Sequence, residues 1–203
     1  MTLNPRTAFF DGIADQWDGW EDLTALERKL TAGLQELGVE ADEWVLDVGC
    51  GTGNLTRALL ARLSPAGRVF AVDLSPRMLE LAQRKIADPR VSWHAADARR
   101  LPLGDAACDR VLCCSVWPHF DDCAAVAVEL GRVLAPGGLL HVWHLIPREK
   151  VNAIHAGAGE AVRGDVLPPA AQTAALLGAA GFRIVTASEA DDRYLVTAMK
   201  PEG

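Results

Sequence analysis

The chain has 203 residues, half of them apolar and 23% charged, with a net charge of −7 at pH 7. That length suits one α/β domain with its own core and falls short of two. An acidic surface repels phosphate backbones, and the densest basic stretches, Arg84-Lys85 and Arg99-Arg100, are too small to override it, so a nucleic-acid partner is disfavoured.

No apolar run approaches the ~20 residues that cross a bilayer, so no membrane span is expected. The amino terminus lacks the basic region and long apolar stretch of a secretory signal. The five cysteines are Cys50, Cys108, Cys113, Cys114 and Cys123. An odd number with no CxxC argues against a disulfide framework or a zinc ribbon. The expected compartment is the cytoplasm.

In chain order, residues 1–42 read as a helical cap. Leu23, Leu26, Leu30, Leu34 and Leu37 recur at three and four, an amphipathic helix that Gly38 ends. From Trp44 strands and helices alternate. Strand one is 44–48, followed by a glycine-rich turn and a helix to about Leu63. Strand two is 68–72, and Ser75-Pro76 opens the next helix as a capping serine with proline at its first position. Strand three is 91–95 and strand four 109–115. A helix over about 122–134 stops at Pro136-Gly137-Gly138, and strand five is 139–145. An irregular stretch, 147–169, holds a short helix near 149–156. A helix over 170–180 ends at Gly181, and strands at 182–188 and 194–199 close the chain as a hairpin. Strands separated by helices predict a mostly parallel sheet covered on both faces. The reading is one domain over 1–203: the cap, a cofactor-binding core at 43–146, and a substrate-side segment with the closing hairpin at 147–203.

The informative turn is Gly49-Cys50-Gly51-Thr52-Gly53, directly after strand one. Alternate glycines let the chain turn sharply and bring bare backbone to a ligand, and the following helix offers unpaired N–H groups there. Asp47 precedes the turn inside the strand. Asp73 ends strand two, where an acid about 20 residues past a glycine fingerprint accepts hydrogen bonds from ribose hydroxyls. Asp97 follows strand three. These acids fall at or near the carboxyl ends of adjacent strands, the edge where open α/β sheets bind ligands. The GxGxxG of dinucleotide binders is not present in this turn.

The stretches VLDVGCGTGNLT, AVDLSPRMLELAQRK, AADARRLPL, CDRVLCCSV and RVLAPGGLLHV resemble the successive motifs of class I S-adenosylmethionine-dependent methyltransferases. The likeness is to the branch with the ubiquinone and menaquinone biosynthesis enzymes (methyltransferase type 11-like), and it covers residues 9–145. It implies a Rossmann-like, doubly wound, seven-stranded sheet of order 3-2-1-4-5-7-6 with one antiparallel strand. It implies that Gly49, Gly51 and Gly53 back the methionine part of S-adenosyl-L-methionine, with Asp47 near its amino group. Asp73 would hold the ribose, Leu74 and Met78 pack on adenine, and Asp97 meet the adenine amine beside Ala98. Ser115 would lie under the sulfonium side, and Trp17 stands where the branch usually has tyrosine. The implied reaction is methyl transfer to a small molecule; a cofactor-binding module without catalysis is the alternative from another class. A homodimer is compatible with either.

Methyl transfer from a sulfonium needs mainly in-line alignment and removal of the acceptor's proton. His119, after strand four, and His144, at the end of strand five, follow neighbouring strands in the implied order. They are the candidate catalytic residues. His155 belongs to the irregular stretch. His119, His144 and His155 could instead bind a divalent metal, with Asp165 or a cysteine as a further ligand, or simply pack or hydrogen-bond a substrate. His141 is three residues before His144, so it points to the opposite face, and both it and His94 read as packing. The 147–169 segment departs from the quinone-biosynthesis pattern, which counts against a quinone substrate.

Overall fold

The computed structural model describes residues 5–202; Met1–Asn4 of the expected cap and Gly203 lie outside the described residues. Hydrogen bonding orders seven strands as β3-β2-β1-β4-β5-β7-β6, with helices between them. Two compact units divide the chain, one ending at Asp97 and the other beginning at Ala98.

The first unit starts with α1 (Pro5–Trp17), a 3₁₀ turn (Asp18–Trp20) and α2 (Leu23–Glu36). The cap is thus two helices, because Asp22 breaks the run: its carboxylate accepts from Thr24 N and Ala25 N, both at 3.0 Å, and starts α2 afresh. β1 (Trp44–Val48), β2 (Arg68–Asp73) and β3 (Val91–Ala95) pair in parallel, linked by α3 (Asn54–Arg62) and α4 (Pro76–Lys85). Ser75 caps α4 as its sequence predicts, its Oγ accepting from Met78 N at 3.1 Å. Val45, Leu46, Leu59, Val69 and Ala71 are sealed in the core, and Leu30 and Leu34 bring α2 onto it.

The second unit pairs β4 (Cys108–Cys114) with β5 (Leu134–His144) in parallel, and β5 with β7 (Arg193–Met199) in antiparallel. β6 (Arg183–Ala190) pairs antiparallel with β7. α5 (Cys123–Val133), α6 (Arg148–Gly157) and α7 (Ala170–Ala179) complete it. β5 begins at Leu134, earlier than the expected 139. The Pro136-Gly137-Gly138 segment is an irregularity inside the strand. Gly137 N donates to Lys200 O at 2.8 Å and Lys200 N to Gly138 O at 3.0 Å, so β7 holds the segment in register. Leu112, Leu130, Leu140, Leu177, Trp117 and Tyr194 are fully buried here.

Candidate functional site

In the first unit, the chain leaves β1 through three glycines in the left-handed region, Gly49, Gly51 and Gly53, with φ of 71°, 52° and 85°. Val72 O receives Gly49 N at 2.8 Å and Cys50 N at 3.0 Å, which folds the turn back onto β2. The Asp73 carboxylate then accepts from Gly51 N and Ser75 N, both at 2.8 Å. Each of its oxygens thus accepts one of these two backbone N–H groups. Burial pushes the Asp73 carboxyl above its usual range, opposed by the N–H groups of Ser75, Gly51 and Leu74. Behind the turn, Asp47 is almost completely buried and accepts from Thr56 Oγ1 at 2.7 Å. Burial first, and then the Asp73 charge, raise it to about 7.

The glycines divide the labour. A Cβ on Gly53 would stand 2.9 Å from Ile86 Cδ1 and 3.2 Å from Ala82 Cβ, so this glycine lets the turn pack on its own unit. A Cβ on Gly51 would meet only Trp17 Nε1, at 4.0 Å. Bare backbone therefore faces open space at Gly51, flanked by Trp17. These residues fit S-adenosylmethionine: bare backbone for the methionine part, and a carboxylate acceptor at the end of β2 for the ribose.

Three acids on the cap fasten it to the start of α4 and to this turn. Asp11 Oδ1 accepts from Ser75 Oγ at 2.5 Å and Arg77 N at 3.1 Å. Asp15 pairs with Arg77. Asp18 accepts from Thr52 Oγ1 at 2.6 Å and Asn54 Nδ2 at 3.1 Å and pairs with Lys85 at 2.7 Å. Sequence reasoning passed over these residues. Their spacing of four and three was the available signal, since it puts all three acids on one helical stripe.

In the second unit, a 3₁₀ turn (Trp117–His119) follows β4. His119 Nδ1 lies 2.6 Å from Oδ2 of the buried Asp165, and His155 Nδ1, on α6, lies 2.8 Å from the Asp165 carbonyl oxygen. The His119 and His155 rings are 4.7 Å apart. Asn152 of α6 clamps the segment that carries Asp165, its amide bonding both Leu167 O (3.1 Å) and Leu167 N (2.7 Å). His144, the last residue of β5, is 1% exposed and sits edge-on to Tyr194, whose hydroxyl donates to Thr173 Oγ1 at 2.6 Å. Burial, reinforced by the charges of His119 and His155, lowers His144 to about 3, so it is neutral. Among the described residues, the buried side-chain atoms without a hydrogen-bond partner are Nε2 of His144 and Nε2 of His94.

Of the remaining sequence-predicted residues, Leu74 and Asp97 are half-buried, while Met78 and Ala98 are buried. Ser115 is exposed just past β4, in the left-handed region at φ 56°, with its N–H donating to Trp143 O at 2.8 Å. A left-handed serine is uncommon and is held here by that bond. His141 lies apart from His144: its Nε2 is 2.7 Å from Arg110 Nη1 and its Nδ1 3.0 Å from Thr197 Oγ1. Among the described residues, no group of three or more His, Cys, Asp or Glu could hold a metal ion. The Nδ1 atoms of His119 and His155 both meet Asp165, at its carboxylate and its carbonyl oxygen.

Residues 45–138 match the family described as "Methyltransferase domain". The chain is similar to methyltransferase GfsG of Streptomyces halstedii, 33% identical over 160 residues, which is 73% of this chain and 56% of that protein. It is also similar to the demethylmenaquinone methyltransferase of Lactobacillus johnsonii, 35% identical over 136 residues, 64% of this chain and 56% of that protein. The chain thus spans about half the length of these curated relatives. Among solved structures, a SAM-dependent methyltransferase from Aquifex aeolicus superposes with a TM-score of 0.76 over 92% of this chain and 98% of its own, at 22% identity. That likeness establishes the Rossmann-like fold and its strand order.

Proposed function

We propose that this chain is a class I S-adenosylmethionine-dependent methyltransferase, as its similarity to the methyltransferase domain family and to curated methyltransferases supports, and that it transfers a methyl group from S-adenosylmethionine to a small molecule. The observation that carries the reading is the Asp73 carboxylate, braced by Gly51 N and Ser75 N beside the open backbone of Gly51. When bound, S-adenosylmethionine supplies an electrophilic methyl group on a positive sulfur. Gly49, Gly51 and Gly53 receive its methionine part and Asp73 its ribose. Asp47 acts from behind the turn on the ammonium group. Leu74, Met78, Asp97 and Ala98 serve the adenine, Trp17 covers the turn, and Ser115 serves the sulfonium side.

His119 and His144 are the catalytic candidates of the second unit. The proposal leaves out the divalent metal, because no group of three or more His, Cys, Asp or Glu among the described residues could hold one. It takes residues 1–203 as one methyltransferase domain working in the cytoplasm without nucleic acid; no helix among the described residues is long and apolar enough to cross a membrane.

Calorimetry with S-adenosylhomocysteine tests the reading. Binding should be micromolar or tighter, and Asp73→Ala should weaken it by about 1–3 kcal/mol, the cost of orphaned ribose hydrogen bonds. Absence of binding to the folded wild-type protein would refute it.

A further inference from the structure

We propose that Asp11 and Asp18 are positioning residues for the cofactor. From α1 and the 3₁₀ turn that continues it, they brace the starts of α4 and α3, and so set the spacing between Asp73 and the glycine turn that S-adenosylmethionine bridges. The proposal rests on the methyltransferase reading and adds two residues that serve the cofactor through other groups. Every group involved lies in the unit that ends at Asp97.

The glycine turn needs bracing from outside. Glycine has the most conformational freedom to lose on folding, and Gly49, Gly51 and Gly53 all sit in the left-handed region. Thr52, 2% exposed, stands between two of them. Its hydroxyl donates to Asp18 Oδ1 at 2.6 Å, and Asn54 Nδ2, on the first residue of α3, donates to the same oxygen at 3.1 Å. Gly53, at the N-cap of α3, has no side chain with which to cap it. Asp18 places a carboxylate beside that helix start, where negative charge is favourable. Lys85 Nζ holds its other oxygen at 2.7 Å.

Asp11 does the same beside the neighbouring strand. α4 begins just past Asp73, at the end of β2, which pairs in parallel with β1. Asp11 Oδ1 accepts from Ser75 Oγ at 2.5 Å and from Arg77 N at 3.1 Å. Ser75 N in turn donates to Asp73 Oδ1 at 2.8 Å. Asp11 and Asp18 stand two helical turns apart, about 10 Å along the axis.

One direct link already joins the two sides, because Gly51 N donates to Asp73 Oδ2 at 2.8 Å. That bond uses the carboxylate that must also receive the ribose, and a single bond leaves the turn free to pivot. α1 adds a bridge that uses neither the Asp73 carboxylate nor the Gly51 backbone. Along α1 only Thr7 and Ala14 are buried. Apolar burial therefore fastens this helix weakly, and its acids carry the attachment.

Calorimetry with S-adenosylhomocysteine on the full chain tests the bridge in Asp11→Ala, Asp18→Ala and the double variant. Each single variant should bind about 10-fold more weakly. The double variant should match the weaker single one to within about 3-fold, because releasing either end opens the bridge. Independent local effects would instead multiply to about 100-fold. Asp18→Asn keeps an accepting oxygen for Thr52 and Asn54, so it should recover most of the affinity that Asp18→Ala loses. A role carried by charge alone would leave it as weak as the alanine variant. In the wild type, amide hydrogen exchange across α1 should slow by a similar factor on binding, since coupling is reciprocal; this readout needs no variant to fold. Unchanged affinity in either alanine variant, a multiplied loss in the double variant, no rescue by asparagine, or unchanged exchange across α1 would each overturn the proposal. Failure of the wild type to bind S-adenosylhomocysteine would instead overturn the methyltransferase reading, and the bridge with it.

Discussion

Replacing Gly51 and Gly53 separately by alanine tests whether one glycine serves the ligand and the other the packing. At Gly53 the left-handed backbone, φ 85°, costs an alanine about 1–2 kcal/mol. Its Cβ would also stand 2.9 Å from Ile86 Cδ1 and 3.2 Å from Ala82 Cβ, an overpacking worth about 1–3 kcal/mol. Gly53→Ala should therefore lose about 2–5 kcal/mol in urea unfolding. Ile86→Val removes the atom nearest the clash, so the double variant should be more stable than the two single losses predict, by about 1 kcal/mol. At Gly51 only the backbone cost applies, because the added Cβ meets no protein atom closer than 4.0 Å. Gly51→Ala should stay folded with a loss of about 1–2 kcal/mol and should lose most of its affinity for S-adenosylhomocysteine in calorimetry. Unchanged affinity in Gly51→Ala, or a Gly53→Ala protein as stable as the wild type, would refute this division.

Two further predictions concern pH. Unfolded histidines take up protons below about 6.5, whereas His141 and His144 stay neutral down to about 3. Between those values the unfolded state binds more protons, so stability should fall as pH drops through that window, by about 1.4 kcal/mol per pH unit for each histidine. In His144→Phe, thermal unfolding from pH 6.5 to 4 should have a shallower slope; an unchanged slope would assign the acid sensitivity elsewhere. Asp47, raised to about 7, carries the opposite sign: its contribution favours the folded state at low pH and is lost as pH rises from 3.8 through 7. A bound ammonium would favour its charged form, so S-adenosylhomocysteine should bind more tightly at pH 8 than at pH 6, with proton release in calorimetry, and Asp47→Asn should abolish the difference.

Features written in local signals were legible in the sequence. Strands 44–48 and 91–95 stood out by apolar pattern, the Ser75 cap by its serine-proline pair, and α2 by its leucine spacing. The opposite orientation of His141 and His144 followed from an odd separation on one strand. Features made by distant partners were not legible. Asp18 bonds Thr52 and Lys85, 34 and 67 residues away, and His119 meets Asp165 across 46. No local rule selects such a pair from among 27 acids. The early start of β5 was hidden for a different reason: Pro-Gly-Gly reads as a turn, and only pairing with β7 makes it a bulge.

The distribution of satisfied and unsatisfied charge argues for where function sits. Away from the two candidate regions, several ionic groups are paired: Asp88 holds Arg90, Arg132 holds Glu129, and Arg148 holds Glu189. Around the glycine turn the pattern reverses. Asp73 is stabilised only by backbone N–H groups while Asp11 pushes it up, and Asp47 has a threonine and the charge of Asp73. His94 also has a partnerless Nε2, and burial alone lowers its pKa. His144 differs because two further imidazoles and a buried carboxylate act on or beside it. Folded chains break the rule of paired, satisfied groups at the positions that a ligand completes. The two clusters that break it here are also the two to which the motifs and the histidine spacing point. A ligand bearing positive charge would relieve the uncompensated carboxylates of the first, and a hydrogen-bonding substrate would relieve the neutral imidazole of the second.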